Sequence, residues 1–221
     1  MTLNLNNAFG DIFTKARQGV RFTKAGKPPE CVMPVESKAS PSYAANYAKW
    51  QKGLSGEKKE AIETWMMDMG DSVRKIRLID AGQGAKLSLA IRRQAYEFRT
   101  AISSAPNWKG RVFRGLSLTD KQLEQLSKVD SLMRVKAASS ATPDAKVAHQ
   151  YMRAHGRRKR VLLDLRTQTG RDVGSVFPDQ WEKEIVLPKG SKYRIESVIQ
   201  DFYVTSKGKK VSFTRLVARQ I

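Results

Sequence analysis

Residues 181–187 read Trp181-Glu182-Lys183-Glu184-Ile185-Val186-Leu187, two glutamates that lead into an apolar run. Side chains two residues apart in an extended chain point to the same side, so Glu182 and Glu184 can face one cleft. The apolar run predicts a strand over residues 184–187 that would hold the Glu184 carboxylate rigidly, whereas Glu182 ends a loop-like stretch. One carboxylate can then serve a fixed substrate and the other a mobile partner. Taken alone, Glu-x-Glu is more typical of a solvated sheet edge.

A second segment, residues 112–115, reads Val-Phe-Arg-Gly. An arginine inside an apolar strand costs desolvation free energy unless an anion pairs with it, and its planar fork suits phosphate oxygens. Gly115 beside Arg114 would let a ligand approach the backbone closely. Strand alternation leaves open the other possibility, that Arg111 or Arg114 faces solvent.

Hydroxyl side chains form the third segment, Ser139-Ser140-Ala141-Thr142, directly before a predicted helix. Ser140 and Thr142 alternate, so both can face the same side of a strand. Thr142 or Asp144 can equally be the N-cap of the helix that follows.

Along the chain the arginine segment comes first, the serine segment second and the Glu-x-Glu segment third. In this chain order the three segments resemble the arginine–serine–glutamate class of mono-ADP-ribosyltransferases, of the phage or bacterial-toxin type. The resemblance covers about half of the chain, residues 110–221. The matching positions are Arg114 in its strand, residues 140–142 with Ala148 in the next helix, residues 182–185, the turn at 187–191 and the strand at 193–195. The family's middle motif usually reads Ser-Thr-Ser, whereas Ser-Ala-Thr stands here, which leaves Ser139 as an alternative to Ser140.

This resemblance implies an α+β fold, with a helical N-terminal lobe packed on a split β-sandwich that binds NAD between its sheets. It implies that Glu184 stabilises the oxocarbenium-like transition state, that Arg114 holds phosphates or ribose, and that Ser140 orients Glu184. Glu182 would orient the nucleophile, as in the branch of the family that modifies arginine. The residues expected to contact NAD are Arg114, Gly115, Ser139, Ser140, Thr142, Phe177 and Glu184.

Further features of the sequence bear on the same site. Phe177 and Trp181, in the loop before Glu182, are candidates for contacting nicotinamide or the target, or for packing in the core. The sequence has no Gly-x-Gly-x-x-Gly after a strand, which disfavours a Rossmann-type dinucleotide site. This absence is consistent with the activity that the resemblance implies, in which NAD is consumed as a substrate and no metal is required.

The chain divides by pattern into an irregular basic arm (1–40), a helical lobe (41–108) and an NAD-binding β core (109–221). The lobe is predicted to hold three helices, with Ser55 as an N-cap and with a break at Gly70 or at Gly82 and Gly84. Strands are predicted at 111–118, 132–138, 160–165, 184–187, 193–199 and 211–218, and short helices after Thr119 and Pro143.

Charge is the unusual property of the composition. The 221 residues include 41 Lys and Arg against 21 Asp and Glu, a net charge of +20 that attracts polyanions. A basic cluster could bind phosphates or be a solvated helix end; it comprises Arg153, Arg157, Arg158, Lys159 and Arg160. Two alternatives to arginine modification thus stay open: a nucleic-acid acceptor, or a non-enzymatic basic protein that binds nucleic acid.

Several classes are excluded by the composition. The single cysteine, Cys31, rules out an internal disulfide and a cysteine-cluster zinc site. No apolar run is long enough to span a bilayer, and the N-terminus has no signal-like apolar core. We therefore expect a cytoplasmic protein without a membrane partner. The resemblance implies a target protein that carries the acceptor arginine, for example one associated with ribosomes or transcription.

Overall fold

The computed structural model describes residues 41–67, 71–84, 86–152, 158–177, 183–204 and 208–221. The first part of this chain is helical. Its helices are α1 (Pro41–Lys52), α2 (Gly56–Met66), α3 (Asp71–Asp80) and α4 (Leu89–Ser104). Ser55 caps α2 and Ser88 caps α4, because each hydroxyl accepts a hydrogen bond from a backbone N–H of the first turn. The predicted arm at 1–40 lies outside the described residues.

The helices pack through large apolar side chains. The Trp65 and Phe98 rings stack with their centroids 4.3 Å apart, and Ile62 and Ile76 are completely buried beside them. The same cluster includes Ala138, Val173, Val176 and Val186 from the β region. The helical lobe and the β region therefore share one core.

From Trp108 onward the chain is mainly β. The elements are β1 (Trp108–Leu118), α5 (Asp120–Leu126), β2 (Leu132–Arg134), β3 (Ser139–Ala141), α6 (Ala145–Gln150), β4 (Lys159–Asp172), a 3-10 turn (Gly174–Val176), β5 (Ile185–Leu187), β6 (Lys192–Val204) and β7 (Lys210–Gln220).

Two sheets share strand β4. In the larger sheet the order is β1-β4-β7-β6-β2, with β4 and β7 parallel and the other pairs antiparallel. At its end, β4 leaves this sheet and pairs with β5, which pairs with β3. A bridge between Phe113 and Thr142 joins β3 back to β1. The predicted α+β class, a helical lobe on a split β-sandwich, is confirmed.

Alternation along β1 sends its side chains to two different environments. Val112 and Leu116 lie on the inner face, in the core cluster between the sheets, and Arg114 lies between them on the same face. Phe113 points to the outer face, where α6 covers it through Ala148. The fold thus places the arginine of the Val-Phe-Arg-Gly segment inside the sandwich.

Three local predictions need correction. The strand predicted over 132–138 ends at Arg134, because Val135 turns away to donate its N–H to Ser191, and β3 begins only at Ser139. The helix predicted to open at Pro143 begins two residues later, at Ala145; of the two N-cap candidates, Thr142 and Asp144, Asp144 is confirmed. The lobe has four described helices instead of three, since the chain breaks both after Met66 and after Asp80.

No described helix combines the length and the apolar character that crossing a membrane requires.

Candidate active site

Arg114 lies at the centre of the site, on the inner face of β1. Only 6% of the residue is exposed, and its guanidinium donates to the backbone carbonyl of Ser140 on β3. Burial and the nearby charge of Arg77 lower the pKa of Arg114 to about 9, while the charge of Glu184 acts in the opposite direction. A buried cation beside a second cation favours the binding of an anion.

The two adjacent serines of β3 point to opposite sides. Ser140 pairs with Val186 of β5 and faces the helical lobe, where its hydroxyl accepts a hydrogen bond from Arg77 Nη2 at 3.3 Å. The Ser139 hydroxyl donates to the carbonyl oxygen of Ala137 at 3.0 Å. Of the two serines, Ser140 is the one that the structure brings to Arg114 and Arg77.

Glu184 is held directly before β5. Its carboxylate oxygen Oε1 accepts a hydrogen bond from Trp65 Nε1 at 2.6 Å, and the residue is 5% exposed. Its backbone carbonyl accepts from the N–H groups of Val173 and Gly174, both at 3.0 Å. A Cβ at Gly174 would overlap the Glu184 backbone nitrogen, so glycine is needed where the turn passes this residue.

Arg77 of α3 connects these groups. Its guanidinium carbon lies 5.0 Å from the centroid of the Trp65 ring, and the same side chain bonds to Ser140. Neither Arg77 nor Trp65 belongs to the motifs that predicted the site. Trp65 stands at an apolar position of α2, where packing of helix on helix is the ordinary expectation. Arg77 stands among other charged residues of α3, with nothing in its local pattern to distinguish it.

Gly115 and Thr142 have structural partners at the edge of the site. A Cβ on Gly115 would overlap the carbonyl oxygen of Ala148, so glycine lets α6 pack closely on β1. Thr142 exchanges backbone hydrogen bonds with Phe113, and its hydroxyl accepts from the Asp144 N–H at 3.2 Å. Contact of Gly115 and Thr142 with NAD stays a prediction.

The loop before β5 is described only in part. Phe177 is half-buried and packs against the helical cluster, in agreement with the packing alternative for this residue. Trp181 and Glu182 lie outside the described residues, as do Arg153 and Arg157 of the basic cluster. Within the described part of the chain, no three His, Cys, Asp or Glu side chains come together as a metal site would require.

The chemistry of this arrangement follows from its charges. Two guanidiniums, those of Arg114 and Arg77, suit the oxygens of a diphosphate. The Glu184 carboxylate, fixed by Trp65, can stabilise positive charge that develops near it. The residues come from α2, α3, β1, β3 and the start of β5, so the site requires the lobe and both sheets.

Solved structures with the same fold are ADP-ribosyltransferase toxins. The Vis toxin of Vibrio splendidus has a TM-score of 0.60 at 18% identity, over 81% of this chain and 80% of Vis. The C2-I component of the C2-toxin from Clostridium botulinum has a TM-score of 0.59 at 15% identity, over 86% of this chain and 49% of C2-I. BECa of C. perfringens, solved with NADH, has a TM-score of 0.60 at 17% identity, over 83% of this chain and 48% of BECa.

No sequence-family model and no curated protein sequence matches the chain. At these identities the structural likeness establishes the fold. This chain has the fold of the bacterial ADP-ribosyltransferase toxins, as the order of its three motifs predicted.

Proposed function

We propose that this chain is a mono-ADP-ribosyltransferase that cleaves NAD and transfers ADP-ribose to an arginine side chain of a target protein, releasing nicotinamide. The observation that carries the proposal is the proximity of Arg114, Ser140 and Glu184: the Arg114 guanidinium donates to the Ser140 carbonyl, and the Glu184 charge acts on Arg114. They come from three separate segments in a chain with the ADP-ribosyltransferase fold.

NAD fits the charges of this site as a substrate. Its diphosphate would lie near the guanidiniums of Arg114 and Arg77, whose mutual repulsion in a buried place it would offset. The Glu184 carboxylate would then meet the ribose that carries nicotinamide. Ser140 contacts both arginines, because its carbonyl oxygen accepts a hydrogen bond from Arg114 and its hydroxyl accepts one from Arg77.

In the first step the bond between nicotinamide and ribose breaks, and its electron pair leaves with nicotinamide. The ribose develops positive charge, which the Glu184 carboxylate stabilises. The Trp65 N–H holds that carboxylate in place, so little reorganisation is needed during the reaction. In the second step a nucleophile attacks the cationic carbon and loses one proton to a base.

An arginine acceptor is supported by two observations. Glu182 stands two residues before Glu184, where a second carboxylate can orient a guanidinium and accept its proton. One structure of Vis, which shares this fold, is a complex with agmatine, a small guanidine. The target protein itself, including a ribosome- or transcription-associated one, stays part of the proposal.

The test compares two glutamine variants in two assays, release of nicotinamide and transfer of labelled ADP-ribose to agmatine. Glu184→Gln removes the charge that stabilises the cation, worth several kcal/mol, so both activities should fall by at least about 100-fold. Glu182→Gln should lose transfer while keeping substantial NAD hydrolysis, because water does not need to be positioned as a guanidinium does.

Circular dichroism is the control that both variants are folded. Near-native NAD hydrolysis by a folded Glu184→Gln protein contradicts the assignment of Glu184. If both activities fall together in Glu182→Gln, the division of roles is wrong. If agmatine stays unlabelled while nucleic acid becomes labelled, the acceptor is not arginine.

A further inference from the structure

Four arginines form a row across the outer face of the larger sheet. Arg111 on β1 lies opposite Arg166 on β4, Arg166 lies opposite Arg219 on β7, and Arg219 lies opposite Arg194 on β6. Residues that pair directly across strands project from the same face. Neighbouring strands are about 4.8 Å apart, so the row spans about 14 Å.

The charge of this row is only partly compensated. Arg111 binds Asp164 with two hydrogen bonds and is largely buried, and Arg219 lies 3.0 Å from Glu196. Arg166 and Arg194 are exposed, and no carboxylate among the described residues pairs with either of them. Of the four guanidiniums of the row, those of Arg111 and Arg219 are thus paired with a carboxylate, and Asp164 is shared with Arg215.

Further cations extend the row at the β2 edge. Arg134 on β2 pairs directly with Lys192 on β6, and both side chains are exposed. Arg134 is two residues from Leu132, which lies opposite Arg194, so these cations belong to the same face. Helix α6 covers only the other end of this face, around Phe113 and Leu162.

Folding does not benefit from this arrangement. Like charges directly opposite each other in a sheet destabilise it, so the charges of Arg166, Arg219 and Arg194 do not favour folding through their mutual contacts. The alternation of apolar and polar residues along the strands requires only a polar residue at these outward-facing positions, not an arginine. A row of cations that costs stability is explained by an anion that binds there.

We propose that the three exposed arginines of this row, Arg166, Arg219 and Arg194, with Arg134 and Lys192 beside them, bind a single-stranded nucleic acid through its phosphates, without reading sequence. A nucleic-acid strand carries one negative charge per nucleotide at a regular repeat, which suits regularly spaced guanidiniums. The sheet twists by about 20–25° per strand, so the row curves. A flexible single strand can follow this curve, whereas a duplex is stiff over about 150 base pairs.

This surface is separate from the proposed NAD site. Arg114 lies on the inner face of β1 and Arg111 on the outer face, three residues away along the strand. Binding of nucleic acid would hold the enzyme near targets that are themselves bound to RNA or DNA. The surface and the NAD site can therefore be tested independently.

The test measures fluorescence anisotropy of a labelled single-stranded RNA of about 20 nucleotides, with the full chain and its Arg166→Gln/Arg194→Gln variant. Loss of two phosphate contacts should weaken binding about tenfold at about 100 mM salt and make the plot of log Kd against log salt shallower by roughly 1.4. Arg92→Gln/Arg93→Gln on α4 is the matched control, since it removes the same charge from another surface, and it should change the Kd less than about twofold.

Equal weakening by the two double variants would mean general charge attraction and would overturn the proposal. Tighter binding of a DNA duplex of equal length would also overturn the proposal. The same holds if polyglutamate displaces the RNA at an equal concentration of negative charge. The melting temperature of Arg166→Gln/Arg194→Gln should stay the same or rise, because repulsion between the strands is relieved. A clear fall would show a structural role for the row instead.

NAD hydrolysis should be unchanged in Arg166→Gln/Arg194→Gln, because neither arginine lies on the inner face. Loss of hydrolysis in this folded variant would contradict the separation of the two sites. Absence of hydrolysis in the unmodified chain would overturn the proposed function and leave the RNA result standing.

Discussion

Trp65 combines two roles in one side chain. Its ring stacks on Phe98 in the helical core, and its N–H donates to the Glu184 carboxylate. The Arg77 guanidinium lies against the same ring and bonds to Ser140. An apolar position of a helix thus positions the carboxylate on which the proposed chemistry depends.

Trp65→Phe should keep the stacking and remove the donor. A hydrogen bond to a charged group contributes about 1.5–3 kcal/mol, so kcat for NAD hydrolysis should fall about 10- to 100-fold. KM should change little, because Trp65 bonds to the carboxylate and not to the guanidiniums. Steady-state kinetics of nicotinamide release measures both quantities.

Trp50→Phe is the control for this substitution. The Trp50 N–H donates to the Ala101 carbonyl at 3.1 Å in the same lobe, away from Glu184. Equal losses of kcat in the two variants would mean that Trp65 acts only through the stability of the lobe.

At the scale of elements, α6 packs closely on the outer face of β1, the strand that carries Arg114 on its inner face. Helix α6 has only six residues, and its backbone lies against Gly115. Thr142 and Asp144 form the turn that directs the chain from β3 into this helix. The glycine of the Val-Phe-Arg-Gly segment is thus required by a neighbouring helix, whatever its contact with NAD.

Gly115→Ala should lower the free energy of unfolding by about 3 kcal/mol, because the added methyl would meet the backbone of α6 and not a side chain that can move. Urea denaturation measures this change. Gly56→Ala is the matched control, since a Cβ there has no heavy atom within 4 Å, and it should change stability by less than about 0.5 kcal/mol.

At the scale of the whole molecule, the helical lobe fixes the strand that carries Ser140. Asp80, the last residue of α3, is 1% exposed and accepts a hydrogen bond from the Ala138 N–H at 3.0 Å. Its other carboxylate oxygen lies 3.5 Å from Arg99 Nε of α4. The lobe is therefore part of the site and not an independent attachment.

Stability of the whole chain should depend on His149. Its ring stacks on Tyr203 with centroids 5.2 Å apart and packs against Phe213. Burial lowers the pKa of His149 below its usual 6.5, although Asp201 and Asp144 act in the opposite direction. Below pH 6.5 the unfolded chain therefore binds a proton that the folded chain does not, and stability falls as the pH falls.

Thermal melts at pH 7 and pH 5 test this dependence. We expect the melting temperature of the unmodified chain to decrease more over this interval than that of His149→Phe, which keeps the stacking and removes the titrating group. An equal decrease in the two proteins would assign the acid sensitivity to carboxylates elsewhere.

The sequence by itself determined most of the elements and the order of the motifs. Alternating apolar residues predicted most strands, because strand periodicity lies in consecutive residues. The order of the motifs singles out Arg114, Ser140 and Glu184 as candidate site residues, and their roles stay a prediction. The local pattern predicted a strand that is too long where the backbone bonds to a residue distant in sequence. At Val135 the strand has ended, and the N–H donates to the carbonyl oxygen of Ser191.

Only the tertiary structure decided which side chains complete the site. Trp65 bonds to Glu184 across 119 residues of sequence, and Arg77 bonds to Ser140 across 63. Which of the two serines lies beside Arg77 depends on which side of β3 faces the lobe, and the arginine row depends on the register of four strands. Such contacts arise from packing between segments far apart in sequence, and no local periodicity encodes them.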